Sequence, residues 1–560
     1  MLHWLKNYQR TWLAGDIGSG VVVALMMIPQ GMAYALLAGL PPVAGLYASI
    51  LPAFAYALFG SSMVQSVGPM AITSLMTGTA LASMAVAGSS IYILLTAELA
   101  FLAGVILIVS GIGRLGFLAN FLSRPVMSGF TSGVALLIIG SQCAVLAGLS
   151  SKVALWEIVP RAHGPSVLMG LLSLLVLWMS QRWSAGLLGK LGLSLAAATI
   201  LSRLIPVFVL LLNTLIMLSG AAWTVGIPVI GHVPSGLPDL DAGALLALKA
   251  NFSSLVMPAA LIAFIIFMSS QSAALTLAQK RKEHIDANRE LLGLGVANVA
   301  AALSGGFPVT GSISRSAVNH VAGANSPLAT LISAGLLATL LLLPGTWLAP
   351  LASIPLPVMA AMIITAVIGM IDLALIQVAW RYDRADAFAL FATAAGVLFL
   401  GVERGVVIGV VLSLSILIGR TSRPHMAVIG RLPGTEHFRN VDRHAVETLA
   451  NTLMLRVDAG IFFGNTAALI SHIDQQLQNR SEVRHLVLVM SAVNFIDTSG
   501  LYALTELNAS LSERGMQLHL CEVKGPVMDR LQGSPLIKQA LTGKIFLSAG
   551  QAYTFLSNAT

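Results

Sequence analysis

Two cysteines in 560 residues, and charged side chains at only 10% of positions, set the first limits on this chain. Cys143 lies inside an apolar run and Cys521 in a much more polar setting, so both read as buried apolar thiols and a disulfide framework is excluded. His and Cys never gather at metal-ligand spacing, and neither a metal nor any other cofactor is expected. A phosphate-cradling P-loop, a nucleophile elbow and a paired acid/base set are also missing, which speaks against an enzyme. The first apolar run, from Ile17, has no small-residue cleavage site after it and is followed by further runs, so a cleaved secretory leader is not expected.

What fills the chain instead is apolar. Hydrophobic residues make up 56% of it and the mean hydropathy is +0.86, which does not suit a soluble chain of this length. Runs such as 126–147, 165–179 and 326–343 approach or reach the roughly 20 apolar residues that span a bilayer. Near residue 423 the solvent changes: 32 charged residues precede it, and the last 137 residues carry 22. We therefore expect a polytopic α-helical membrane domain over 1–423 and a cytosolic domain over 424–560.

The formal charge of +8 belongs wholly to the membrane part, which holds 20 Lys/Arg against 12 Asp/Glu. It is topological information rather than a nucleic-acid footprint. Lys6, Arg114, Arg182, Lys280, Arg381 and Arg420 mark alternate connections, while the intervening ones offer only Lys152, Arg161, Lys249 and Arg404. The positive-inside rule then puts both termini in the cytoplasm and the protein in the cytoplasmic membrane, with lipid as its surroundings. Fourteen apolar segments run from 17–37 to 403–419, and 184–203 reads as an amphipathic connector on the cytoplasmic face.

Pro125-Val126-Met127 recurs as Pro357-Val358-Met359, 232 residues on; Pro29 and Pro258 differ by 229, and Pro69 and Pro308 by 239. The halves read as two copies of seven spans, and an odd number makes the second copy enter from the opposite side. At matching places Gly68-Pro69 follows the polar stretch 61–66, and Gly305-Gly306-Phe307-Pro308 precedes Thr310-Gly311-Ser312-Ile313-Ser314-Arg315. These look like helices that start inside the membrane, where unpaired N–H groups present partial positive charge. Such backbone is tolerated at that depth only where it lines a cavity. Two positive helix ends with hydroxyls and an arginine beside them suit a small anion. The competing readings are ordinary small-residue packing for Ser312 and Ser314, and a snorkelling interfacial side chain for Arg315.

Four passages carry a family likeness: Ile28-Pro-Gln-Gly-Met-Ala-Tyr-Ala35 with 39–47; residues 114–121 with Pro125 and 128–131; Asn288-Arg-Glu-Leu291 through 308–319; and Val367-Ile-Gly-Met-Ile-Asp372. The sequence resembles the sulfate permease (SulP) family of anion transporters, which includes pendrin and prestin. That resemblance implies fourteen spans in two inverted repeats, a core domain moving against a gate domain, and a homodimer. It also implies an anion site to which this chain contributes Gln30, Tyr34, Pro69, Met70, Ala71, Ser269, Ser272, Thr310, Gly311, Ser312, Ser314 and Arg315. One departure stands out: Ser269 occupies a position where many bacterial relatives carry an acid, which puts coupling to H⁺ or Na⁺ in doubt. Glu98 in the fourth segment is the remaining coupling candidate, against a reading as a hydrogen-bonded structural carboxyl.

The last 137 residues alternate strand and helix signals: 452–457, 465–477, 485–490, 499–513 and 517–521. Alternation of this kind builds an α/β domain, and Phe495-Ile-Asp-Thr-Ser-Gly-Leu501 resembles the strand-to-helix turn of a STAS domain. By that resemblance Thr498 is the position of phosphorylation and the domain a docking point for a regulatory protein; the plainer reading is that Asp497, Thr498 and Ser499 cap the helix. The function expected is secondary active transport of a small inorganic anion, sulfate first, with bicarbonate, chloride, nitrate or a dicarboxylate as alternatives. A xanthine/uracil-type permease and a membrane-anchored STAS signalling scaffold are the competing classes.

Overall fold

The computed structural model describes residues 3–6, 8–117, 123–150, 153–190, 192, 194–238, 248–478 and 480–558. Residues 118–121 of the second motif and Lys152 lie outside them. The chain divides into two compact units, Met1–Ser413 and Leu414–Thr560.

Thirteen of fourteen principal helices lie in the first unit and the last begins there and ends in the second: α1 Leu13–Leu37, α2 Pro42–Phe59, α3 Ala71–Leu81, α4 Ser90–Ile112, α5 Arg124–Leu146, α6 Gly164–Met179 and α7 Leu195–Leu218, then α8 Leu248–Arg281, α9 Ala287–Leu303, α10 Ile313–Val321, α11 Leu328–Leu341, α12 Leu356–Ile368, α13 Arg384–Leu400 and α14 Val402–Ser422. Among the described residues nine helices are long and apolar enough to cross a bilayer, and α11 with Gly345–Ala352 makes a pair bent by 100°. Short polar caps start the spans where apolar sequence cannot. Ser89 accepts from Tyr92 N, Ser123 from Val126 N, and Asp286 from Asn288 N.

The repeated prolines fall at equivalent places. Pro125 and Pro357 lie in the first turns of α5 and α12, where the missing N–H costs nothing, while Pro29 and Pro258 lie inside α1 and α8. Packing sorts the helices by their position in each repeat. α9 lies on α4 and α2, α11 on α1, and α8 on α4; separately, α13 lies on α5, and α12 on α5 and α6. α1, α2, α4, α8, α9 and α11 thus pack as one bundle and α5, α6, α12 and α13 as another, the division expected of core and gate, while α7 meets α1 as well as α6. Residues 195–203, expected in a cytoplasmic connector, instead continue α7. Ser194 caps that helix by accepting from Ala197 N, and the chain runs helical through Pro206.

The short helices α3 and α10 are each preceded by two extended residues. β1 (Val67–Gly68) pairs antiparallel with β2 (Thr310–Gly311), Val67 opposite Gly311 and Gly68 opposite Thr310. The two helix starts therefore enter from opposite directions, as inverted copies must.

The second unit contains a six-stranded sheet in the order β4-β3-β5-β6-β7-β8. Its strands are β3 Met426–Arg431, β4 Phe438–Asn440, β5 Thr452–Val457, β6 His485–Val489, β7 Gln517–Cys521 and β8 Ile545–Phe546. β5 to β8 are parallel, and β3 runs antiparallel to both β4 and β5. Helices α15 Thr466–Gln478, α16 Thr498–Glu513 and α17 Gly525–Gln532 cover one face, through Leu469, Leu504 and Leu531; α18 Ala549–Ser557 covers the other, through Ala552 and Leu556. Cover on both faces explains why β6 reads as a continuous apolar run. Burial beside Lys544 and His485 holds His519 down to about 4, so it is neutral in the sheet and accepts at Nδ1 from Lys544 N.

Close helix approach in the gate bundle depends on glycine. A Cβ on Gly129 of α5 would lie 2.2 Å from the carbonyl oxygen of Leu390 on α13, whereas one on Gly140 would meet nothing. Gly129→Ala is expected to lower stability by about 1–3 kcal/mol through overpacking, with Gly140→Ala near neutral. Thermal midpoints of the two variants in one detergent check this, and equal midpoints would contradict the packing.

Candidate functional site

The β1–β2 pair brings α3 and α10 together at their N-terminal ends. Met70, the residue before α3, has an extended backbone and provides no side-chain cap, so the first N–H groups of α3 keep their donors. At α10 the cap is Ser312, whose Oγ accepts from Arg315 N at 3.4 Å. Ser312 N in turn donates to Ser66 O at 3.1 Å, and Ser66 N to Ser316 Oγ at 2.9 Å, which ties the approach to α3 onto the start of α10.

Arg315 crosses between them. It is only 2% exposed, and its Nη1 donates to Pro69 O at 2.8 Å. Its Nε and Nη2 have no partner among the described residues, and none of the carboxylates described there forms an ion pair with it. An unpaired buried guanidinium is costly unless something negative shares its site. Gly68 lies beside it, since an ideal Cβ there would sit 3.5 Å from Nη2 and press on the Met27 methyl group at 2.6 Å.

Of the residues expected at the site, Pro69, Ala71, Thr310, Gly311, Ser312 and Arg315 are buried at the strand pair and the two helix starts, with Met70 half-buried among them. Thr310 Oγ1 donates to Ile266 O at 2.9 Å, and Ser269 Oγ donates to Met70 Sδ at 3.6 Å, so α8 forms the adjoining wall. Gly311 is required for shape: a Cβ would fall 1.7 Å from Gln65 Nε2. Tyr34 is buried on α1 within electrostatic range of Arg315, and Gln30 is half-buried one turn earlier. Ser272 and Ser314, by contrast, are exposed. Glu98 is buried and accepts from Asn251 Nδ2 at 3.0 Å. Asn251 precedes Ser269 by 18 residues on α8, roughly 27 Å of helix, so Glu98 is not part of the arginine site.

Sequence reasoning missed a second polar cluster. Glu290, in the first turn of α9, is fully buried and accepts from Tyr56, Ser61 and Ser62. Its signal was present, a carboxylate within the Asn288–Leu291 motif. In the second unit Asp497 Oδ1 accepts from Gly500 N at 2.7 Å and Oδ2 from Phe463 N at 3.0 Å, so it caps α16 and pins the neighbouring loop; Thr498 is exposed beside it.

Residues 13–393 match the Sulfate permease family and residues 443–552 the STAS domain. A Mycobacterium tuberculosis protein named as a probable sulfate transporter is 34% identical over 556 residues, covering 97% of this chain and 95% of that protein. The Arabidopsis thaliana protein named sulfate transporter 4.1, chloroplastic, is 34% identical over 92% of this chain and 76% of its own length. Among solved structures, SLC26A9 aligns with a TM-score of 0.87 at 20% identity, covering 100% of this chain and 92% of that one. The murine Slc26a9 anion transporter in an inward-facing state gives 0.85 at 21%, covering 100% and 94%. At that identity these two establish the shared fold.

Removing the guanidinium removes the one buried cation, among the described residues, between the two helix starts. Arg315→Ala is expected to reduce anion uptake into proteoliposomes about tenfold or more, as loss of a buried charge contact does, while leaving a monodisperse, folded protein. Unchanged affinity and rate for every anion tested would take Arg315 out of the mechanism.

Proposed function

The chain belongs to the sulfate permease family, and from that premise we propose that it carries a small inorganic anion, sulfate first, across the cytoplasmic membrane by secondary active transport. It is a transporter and not an enzyme. The observation that carries the reading is the antiparallel β1–β2 pair, which faces the N-terminal ends of α3 and α10 toward each other with Arg315 buried between them. Helix ends and a guanidinium together attract an anion strongly enough to strip part of its hydration, yet their partial charges leave it able to depart.

The substrate contacts we assign are Gln30, Tyr34, Met70, Ala71, Ser269, Thr310, Ser312 and Arg315, with Pro69 and Gly311 shaping the backbone and Ser272 and Ser314 on the approach. Alternating access follows from movement of the bundle that bears α3 and α10 against the bundle of α5–α7 and α12–α14. Sulfate stands ahead of bicarbonate, chloride, nitrate or a dicarboxylate because relatives similar over nearly the whole chain are named sulfate transporters. Ser269 supplies no carboxylate for coupling, and Glu98 remains the candidate we assign for it.

We place both termini in the cytoplasm, the transporter in 1–423 and the STAS domain in 424–560, and we assign a homodimeric assembly in lipid. Regulation by a partner protein or by phosphorylation of exposed Thr498 is assigned to the STAS domain: phosphate there would sit on the exposed N–H groups of α16. Radiotracer sulfate uptake by proteoliposomes, with chloride, bicarbonate, nitrate and dicarboxylates as competitors under imposed pH and Na⁺ gradients, tests the substrate. Uptake of one of these anions, labelled in its turn, without any uptake of sulfate would reassign it. A chain ending at Arg423 is expected to bind the anion with near-normal affinity but to turn over more slowly. Complete loss of binding by the purified, folded truncation would place part of the site beyond residue 423.

A further inference from the structure

Glu290 is a buried carboxylate that the anion site does not contact, and its two oxygens are treated unequally. Oε1 accepts from Ser61 N at 2.8 Å, Ser61 Oγ at 2.7 Å and Ser62 N at 3.2 Å. Oε2 faces only Tyr56 Oη among the described residues, at 2.9 Å, and Tyr56 Oη is equally 2.9 Å from Oε1. The same phenolic oxygen lies 3.0 Å from Gln65 Oε1.

At its far end the Gln65 amide is oriented by Ser270. Gln65 Nε2 donates to Ser270 O at 3.2 Å and to Ser270 Oγ, and a reversed amide would set its oxygen against that carbonyl. Gln65 Oε1 must then accept from Tyr56. Tyr56 has one proton and two acceptors competing for it. With Glu290 ionised, the phenol donates to the carboxylate, and Gln65 Oε1 faces an oxygen with no proton between them. A proton on Glu290 Oε2 resolves the conflict: Glu290 donates to Tyr56 Oη, Tyr56 to Gln65 Oε1, and Gln65 to Ser270.

This chain of bonds ends at the anion site. Ser270 follows Ser269, whose hydroxyl touches Met70 before α3. Gln65 Nε2 lies where a side chain on Gly311 would be, and the next residue, Ser66, receives Ser312 N at the start of α10. Other charged groups around α9 are engaged elsewhere among the described residues. On α4, Glu98 is bonded to Asn251 and Tyr92 donates to Ala38 O. On α8, Arg281 holds Glu283 and the carbonyls of Ala324 and Asn325. At the cap of α9 itself, Asp286 accepts from Asn288 N and Arg289 N. The turn between α8 and α9 also carries Lys282 and His284, and the first turn of α9 carries Arg289; Tyr56 is the titratable side chain hydrogen-bonded to Glu290.

We propose that Glu290 is a proton-binding site whose occupancy sets anion affinity through Tyr56 and Gln65. It rests on the anion-site reading above. Protonation completes the network and fixes α8 against the strand pair; ionisation loosens that tether. Affinity therefore rises as pH falls.

Calorimetric binding of sulfate and of chloride to the purified full-length protein, at about pH 6 and about pH 8, tests the link. The natural protein is expected to bind at least roughly fivefold more tightly at the lower pH, within the range of ordinary site coupling. Glu290→Gln puts an amide donor where Oε2 stands and should hold the tighter affinity at both pH values. Tyr56→Phe keeps the carboxylate and its charge but cuts the bonds, and should lose the pH dependence. A pH effect that persists in either variant, or is missing from the natural protein, overturns the proposal. No binding of either anion by the natural protein would instead refute the anion-site reading. Where Glu290→Gln does not fold, proton uptake on sulfate binding in weak buffer decides between the natural protein and Tyr56→Phe: uptake by the natural protein alone upholds the link, and equal uptake or none overturns it.

Discussion

Four residues hold the arrangement on which transport depends. Inside a bilayer an unpaired peptide group has no water to turn to, so a chain that breaks helix at that depth must find partners within the protein. Val67 and Gly68 find theirs in Gly311 and Thr310, and those residues find theirs in return. Each repeat by itself would leave an open strand edge in the membrane; only the two together close it. The requirement that satisfies the backbone thus also brings two positive helix ends face to face.

Around that pair the surrounding side chains divide their work. Small and glycine residues set distances, as at Gly311 against Gln65 and Gly68 beside Arg315. One backbone bond and one hydroxyl tie the repeats together, Ser312 N donating to Ser66 O and Ser66 N to Ser316 Oγ, while the Thr310 hydroxyl holds its own repeat together by donating to Ile266 O on α8. Arg315 supplies full charge, and with two of its nitrogens lacking partners among the described residues it is better suited to receive an anion than to brace the fold. The bundle carrying these parts is internally packed, and the other bundle likewise, which leaves movement of one against the other as the economical way to change access.

The carboxylates show how position overrides residue type. Asp16 is fully buried and accepts from Asn325 N, Ser326 N and Ser326 Oγ, joining α1 to the start of α11. Glu98 meets a single amide on α8, far along that helix from the arginine. Glu290, near the start of α9, reaches Ser270 on α8 through two side chains, Tyr56 and Gln65. Nothing in the identity of an acid, or in its distance from a span end, separates these three roles.

Local sequence was enough for much of the architecture. Apolar runs with polar caps mark the helices, repeated prolines mark the two copies, and the change in charge density separates membrane from soluble residues. Gly68-Pro69 and the stretch 305–315 announce broken helices because turn chemistry and helix starts depend on neighbours a few residues away. In the soluble unit β5, β6 and β7 were legible as apolar runs, whereas β3, the three-residue β4 and the two-residue β8 were not; β4 and β8 are short edge strands that draw their identity from the partner beside them. The same limit governs the site. Arg315 and Pro69 are 246 residues apart, and Tyr56 and Glu290 are 234 apart. Sequence determined that this chain would place helix starts, hydroxyls and an arginine within the membrane; tertiary structure decided which carbonyl the arginine meets, that Ser272 and Ser314 stay exposed, and that Glu290 is buried against Tyr56, because hydrogen bonds across the two repeats depend on backbone register that no local pattern records.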